Sequence, residues 1–498
     1  MSKNGYILSI DQGTTSSRAA LISEEGNIVS QKNIEFKQYF PNNGWVEHDP
    51  RDILSSTIDC IKHIIKESNV SPEDIITAGI TNQRETVVAW DKISGEPVYN
   101  AIVWQDRRTE EICKTLREKS IEDLVQTKTG LLIDPYFSAS KIKWILENVD
   151  RAKSLMTNNN LLVGTIDSWL IWNLSNKQNH FTDVTNASRT MIYNIIDDCW
   201  DKELLGLFNI SREILPEVKN SMDNFGEISK DFFGSEIPIS GVAGDQQAAA
   251  FGQLCTKKGM IKSTYGTGCF MLMNTGDKVY KSQHKLLSTT AFQTSANKMY
   301  ALEGSIFNAG TTVQWMRDEL SFFEKAGEIE SLASKAKNDI IFVPAFTGLG
   351  APYWRSDIRG SIHGITRDTS KNDLAMAALK SVCFQSKDLY LSLQKDMKSD
   401  DQNSVIRVDG GMSQNNLMMQ YLADLLQVNV ERPIIQETTI MGAAYLAGLQ
   451  HGIYKSIDDL KELWKTDFVF EPSNKVDKVN KVNDDYDHWK EIIMKEIG

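Results

Sequence analysis

Short apolar runs broken by small polar turns mark the start of the chain as strand after strand. Residues 6–10 (Tyr6-Ile7-Leu8-Ser9-Ile10) read as a strand, 11–17 as a turn and 18–22 as a second strand, and a third strand over 28–36 completes a meander. Helical spacing of apolar positions follows over 49–67. Residues 78–81 and 86–90 then read as two strands flanking a bend, and 110–119 and 139–148 as helices. A similar programme restarts near Pro238: a strand ending at Gly241-Val242-Ala243-Gly244-Asp245, a small-residue helix over 246–252, and strands over 261–265 and 270–274 joined by Gly266-Thr267-Gly268. Helices over 312–320 and 373–395, a strand over 405–408 and helices over 416–426 and 441–449 complete it. Two α/β halves, each opening on a strand pair around a small-residue turn, suggest duplication. No short-period repeat is visible. The charged tail after Phe470 predicts a surface helix.

At 498 residues the chain exceeds what one hydrophobic core organises, which favours two domains. The net charge of −12 is spread along the whole length, so nothing points to nucleic acid or an anionic membrane surface. An acidic protein can hold an anionic ligand only through local donors, helped by a divalent metal. The six cysteines are scattered without a CxxC pair, and neither a signal peptide nor a membrane-spanning apolar run is seen, so a cytoplasmic, reduced protein is expected.

The chain has no GxxxxGK[ST] loop, and Gly348-Leu349-Gly350 runs into Ala351-Pro352, unlike a dinucleotide fingerprint. The turn Asp11-Gln12-Gly13-Thr14-Thr15-Ser16-Ser17-Arg18 offers another way to hold phosphate. Gly13 permits close backbone approach, and turn N–H groups with four hydroxyls can surround phosphate oxygens. Asp11 could orient Mg²⁺ through water, since that ion keeps most of its hydration shell. Arg18 could neutralise charge on a phosphoryl group in transfer. A polar hairpin capped by small residues is the bland alternative. Thr264-Tyr265-Gly266-Thr267-Gly268-Cys269-Phe270 is the corresponding turn of the second half, and Asp409-Gly410-Gly411-Met412-Ser413-Gln414-Asn415-Asn416 joins a strand to a helix, with glycines that admit a nucleotide and Asn to bond it.

The three loops in this order resemble those of the sugar-kinase/Hsp70/actin superfamily. Within it, the chain is similar to the FGGY carbohydrate kinases from Ile7 to about Gly448. Tyr136-Phe137-Ser138-Ala139-Ser140-Lys141-Ile142-Lys143-Trp144 matches one signature of that family, and Gly360-Ser361-Ile362-His363-Gly364-Ile365 begins another. The resemblance implies an α/β protein of two ribonuclease-H-like (actin-like ATPase) domains, 1–252 and 253–498, with the active site in the cleft between them. It also implies transfer of the γ-phosphoryl group of ATP, with Mg²⁺, to a hydroxyl of a small polyol, glycerol first, in a homodimer or higher homo-oligomer.

The substrate expectation rests on Ile80-Thr81-Asn82-Gln83-Arg84-Glu85-Thr86, where the resemblance has Arg84 and Glu85 hold two hydroxyls. Neighbours in an extended strand face opposite ways, so both reach one ligand only from a bend. The alternative is a surface ion pair of little worth. The resemblance further implies an apolar wall of Trp104 and Phe270, a hydrogen bond from Tyr136, and substrate contacts from Asp245 and Gln246. Asp245 is the expected general base; a helix N-cap is its bland alternative. Thr14, Thr15, Ser16, Thr267, Gly310 and Gln314 would contact the nucleotide, with Gly411 and Asn415 towards the adenosine.

The compact enclosure by Arg84, Glu85, Trp104 and Phe270 argues against a pentulose, gluconate or erythritol. A nucleotide-gated binding protein is the remaining alternative class. Two departures concern regulation. In some members a Gly-rich loop ending in Arg binds fructose 1,6-bisphosphate, but Asp231-Phe232-Phe233-Gly234-Ser235-Glu236 ends in an acid, so poor binding is expected. Asp231 also stands where other members carry a phosphorylated histidine. Lys380 replaces an acidic residue of the second signature.

Overall fold

A computed structural model describes residues 5–398 and 405–498. The first half is built on a six-stranded sheet in which Tyr6–Gln12, Ser16–Ser23 and Ile28–Glu35 form the antiparallel meander. Ile75–Asn82 then joins Tyr6–Gln12 in parallel, and Ile237–Gly244 joins Ile75–Asn82 in parallel. The second half repeats this order. Ile261–Tyr265, Cys269–Gly276 and Lys298–Ile306 form the meander, followed in parallel by Ile406–Asp409 and Val430–Pro433. Two sheets with one strand order and sense make the duplication a matter of topology.

In each half the last parallel strand leads into a helix, Asp245–Gly252 and Thr438–His451. These two helices cross in direct contact between the sheets. A Cβ on Gly252 would lie 2.0 Å from Thr438 O, and one on Gly442 would lie 1.8 Å from Ala248 O. Only glycine at these two positions lets the backbones meet. Ser9 Oγ donates to Ile440 O at 2.7 Å and anchors the second helix to the first sheet.

The bend expected after residue 81 exists. Ile75–Asn82 stays in the main sheet, whereas Val87–Asp91 pairs with Leu161–Thr165 in a separate four-stranded sheet. Glu85 makes the turn with a φ of 62°, unusual for a side chain of that size. The hairpin of Leu287–Gln293 and Lys298–Ile306 was not anticipated; it contributes Glu303 to the site. The C-terminal helix, Val476–Ile497, is also less superficial than its composition suggests. Val482, Tyr486, Trp489 and Ile493 are buried at three- and four-residue spacing, with Trp489 5.6 Å from Phe384 between ring centroids.

Candidate active site

Asp245 is the first residue of its helix. Gly244 occupies the cap position and makes no side-chain cap bond, so the capping explanation for Asp245 fails. Its carboxylate, partly open to the cleft, lies with Oδ1 3.2 Å from Arg84 Nε. Oδ1 also accepts from the Gln246 backbone N–H at 2.7 Å, and Oδ2 from Gln246 Nε2 at 3.2 Å.

Arg84 and Glu85 are not a surface pair: each side chain is only 2% exposed. Arg84 donates to both carboxylate oxygens of Glu303, Nη1 at 2.6 Å and Nη2 at 3.0 Å, and to Gln247 Oε1 at 3.1 Å. Arg189 Nε donates to Glu85 Oε1 at 2.6 Å and Nη2 to Glu303 Oε1 at 3.0 Å. Burial works against the Arg84 cation, but Glu303 and then Glu85 hold its pKa well above the ordinary value. Burial likewise opposes Glu303 as an anion, yet Arg189 and Arg84 bring its pKa down to about 2. This paired network fixes the guanidinium edge that faces Asp245.

The three aromatic rings named for the wall come together. Trp104 stands 5.6 Å from Tyr136 and 6.3 Å from Phe270, centroid to centroid, edge-on to both. Arg84 Nη2 donates to Tyr136 Oη at 3.5 Å. Trp104 Nε1 donates to Thr14 Oγ1 at 3.0 Å, joining this wall to the first phosphate turn.

That turn is closed by Gly13 N–H on Ser16 O at 2.9 Å, with Thr15 exposed and Thr14 and Ser16 half-buried. Asp11 precedes it. Burial raises its pKa to about 6, Arg18 pulls it down and Asp245 pushes it up. Arg18 is ion-paired with Glu437, the residue before the Thr438–His451 helix. In the second turn the Thr267 carbonyl accepts from Ala309 and Thr311 N–H at 3.1 Å, and Gly266 O from Gly310 N–H at 2.9 Å. The turn therefore rests on the start of the Gly310–Asp318 helix, which carries Gln314 one turn further on. The third loop touches the second, since a Cβ on Gly410 would lie 2.6 Å from Tyr265 O. Gly411 is open, and Asn415 caps the Asn416–Leu426 helix through Oδ1 to Met418 N–H at 2.9 Å. The buried Asn415 Nδ2 has no protein partner, a donor left for a ligand acceptor.

No group of three or more His, Cys, Asp or Glu side chains among the described residues could hold a metal unaided. Asp11, beside Asp245, offers instead the sparse carboxylate set that suits Mg²⁺ bound mostly through water and phosphate. Arg189, Glu303, Gln247 and Lys262 were missed from sequence. The one available signal was a carboxylate in the middle of the apolar run Tyr300-Ala301-Leu302-Glu303.

The models of the FGGY family of carbohydrate kinases match the chain at residues 6–252 for the N-terminal domain and 261–451 for the C-terminal domain. The chain belongs to the FGGY family of carbohydrate kinases. It is 52% identical over 490 residues, 98% of each chain, to a glycerol kinase of Marinomonas sp.. A crystal structure of Plasmodium falciparum glycerol kinase with ADP superposes with a TM-score of 0.90 at 39% identity, covering 98% of both chains. A gluconate kinase from Lactobacillus acidophilus reaches a TM-score of 0.87 at 21% identity over 99% of both chains, a likeness of fold alone. As an FGGY kinase the chain has the actin-like ATPase fold of two sheet-containing domains. Among the described residues no helix is long and apolar enough to cross a membrane.

Proposed function

We propose that this FGGY kinase transfers the γ-phosphoryl group of ATP to a terminal hydroxyl of glycerol, giving sn-glycerol 3-phosphate and ADP. The carrying observation is the enclosure: Arg84 and Asp245, 3.2 Å apart, under the Trp104, Tyr136 and Phe270 rings. Hydrogen-bonding groups beside an apolar face suit a short polyol, and about half of the chain is identical, end to end, to glycerol kinases.

In this reading Arg84 donates to substrate hydroxyls while Glu85, held by Arg189, accepts from one of them. The aromatic rings cover the carbon chain and exclude water, the competing nucleophile. Asp245 takes the proton of the reacting hydroxyl as its oxygen bonds to the γ-phosphorus and the bond to the β–γ bridging oxygen breaks, releasing ADP. A positioned carboxylate contributes about 10²–10⁴-fold to such a step. Gly13, Thr14, Thr15, Ser16, Arg18, Thr267, Gly310 and Gln314 line the phosphate side, and Gly411 and Asn415 the adenosine side. Asp11 would hold Mg²⁺ through water, and the ion would neutralise phosphate charge. The two catalytic halves divide at Gly252, where the helices cross.

The test is ADP release coupled to product detection with glycerol, D-xylulose, D-gluconate and erythritol, for the wild type and Asp245→Asn. Preference for glycerol, with turnover nearly abolished in the variant while ADP still binds, is expected. Preference for another acceptor would sink the glycerol assignment, and normal turnover by the variant would sink the base assignment.

A further inference from the structure

Along Ile261–Tyr265, Ile261 and Tyr265 enter the core of the second half, and Lys262 points the other way, towards the Asp245–Gly252 helix. Its side chain is fully buried. A buried ammonium is costly unless it is paired and hydrogen-bonded. Burial lowers its pKa from the ordinary lysine value, Arg84 adds to that, and Asp409, Asp245 and Glu303 work against it by favouring the ammonium. Nζ donates to Gln246 Oε1 at 2.5 Å.

The direction of that bond matters. An ammonium only donates, so Gln246 must offer its oxygen to Lys262 and its NH₂ group to the other side. There Nε2 meets Asp245 Oδ2 at 3.2 Å. The reversed amide would set N–H against N–H at Lys262 and oxygen against the Asp245 carboxylate. Lys262 thus determines which end of Gln246 faces Asp245.

We infer that Lys262 is a positioning residue for phosphoryl transfer, acting through the Gln246 amide to hold the Asp245 carboxylate towards the polyol. The inference rests on the reading of Asp245 as the base. The Lys262 side chain donates its hydrogen bond to Gln246, on the Asp245 side, so its removal is expected to act on the polyol side of the kinetics.

The experiment is a double-mutant cycle of Lys262→Met and Gln246→Ala, scored by kcat and by the separate KM values for glycerol and ATP. Lys262→Met is expected to lower kcat about tenfold and to raise the glycerol KM several-fold, with the ATP KM within about twofold of wild type. In the Gln246→Ala background the same change adds less than about twofold, because the residues act in series. Gln246→Glu gives a second measurement in case the Met variant does not fold. It keeps an acceptor for Lys262 but turns an oxygen towards Asp245, and a polyol-side loss of similar size is expected. Multiplying losses in the cycle, equal movement of both KM values, or wild-type kinetics for Gln246→Glu would each overturn the inference. Asp245→Asn run alongside separates its failure from that of the base assignment, since normal turnover there removes the base and leaves the Lys262–Gln246 coupling to be scored alone.

Discussion

The Trp104 indole donates to the Thr14 hydroxyl at 3.0 Å, so the wall proposed for the polyol and the turn proposed for phosphate share a hydrogen bond. The connection closes on itself. The Trp104 backbone N–H donates to Thr86 Oγ1 at 3.2 Å, Thr86 Oγ1 to Gln83 Oε1 at 2.8 Å, and Gln83 Nε2 to the Gly13 carbonyl at 3.1 Å. Both proposed ligand sites therefore share one circuit, which suits a reaction needing two bound partners in line.

Trp104→Phe keeps an aromatic face against Tyr136 and Phe270 but removes the donor to Thr14. One neutral hydrogen bond is worth about 1 kcal/mol, so kcat/KM for ATP is expected to fall about fivefold, with a smaller change for glycerol. Initial rates at varied ATP and at varied glycerol measure the two effects. A loss confined to glycerol would mean that the indole serves only as a wall.

Glu303 is the keystone of the buried charges, shared by Arg84 and Arg189. Glu303→Gln keeps the shape and removes the anion, leaving the two guanidinium groups short of a partner in a dry site. Breaking a buried pair in this way costs about 3–5 kcal/mol, to be read from the urea midpoint. Because the folded pKa is lowered to about 2, the wild-type contribution is complete above the unfolded value of 4.5 and fades only as pH falls towards 2. The variant should therefore show its deficit undiminished from pH 8 to pH 5. A deficit that disappears by pH 5 would contradict the assignment.

The strand–turn–strand openings were legible in sequence because each packs one apolar face beside a small-residue turn, and the two repeat. The bend carrying Arg84 and Glu85 was legible for a similar reason, as the polar run 81–86 sits between apolar stretches. Glu303 and Arg189 were not, because their partners lie 219 and 104 residues away, and separations of that length leave no local trace. The buried stripe of the C-terminal helix was hidden by abundant Lys and Asp on its other faces. The Arg18–Glu437 ion pair belongs to the same class: neither neighbourhood announces the other, and only the crossing of the two helices brings Glu437 to the first turn.

Asp11 gives a prediction with a definite sign. Burial raises its folded pKa to about 6 from 3.8, so the folded protein prefers the protonated acid. The stability this group contributes is full below pH 3.8 and is lost as pH rises through 6. Without nucleotide or metal, Asp11→Asn is therefore expected to melt higher than wild type at pH 8, with the difference vanishing near pH 4. Its kinase activity should fall sharply at every pH. Melting curves at the two pH values, with chelator present, are the measurement; a variant less stable than wild type at pH 8 would refute the burial argument.

Lys380, where the resemblance leads one to expect an acid, sits with Nζ 3.1 Å from Asp339 Oδ1 and 2.8 Å from Asp485 Oδ2, over the Tyr421 ring. Lys481 bridges the same two carboxylates at 2.6 and 2.8 Å. Two lysines between two aspartates tie the Val476–Ile497 helix to the Lys371–Met397 helix, and Lys380, only 12% exposed, is the inner of the pair. An acid at position 380 would gather three carboxylates around Lys481 alone. Lys380→Glu is therefore expected to cost about 2 kcal/mol in thermal or urea unfolding, a value between those of exposed and fully buried pairs. Asp485→Lys in the same chain should restore much of the loss by reversing the pair. Both variants should keep wild-type kcat and KM, since the cluster shares no partner with Asp245 or the phosphate turns. An unchanged unfolding midpoint for Lys380→Glu would mean that the charges there are idle. A drop in kcat at wild-type stability would mean that this helix pair communicates with the cleft.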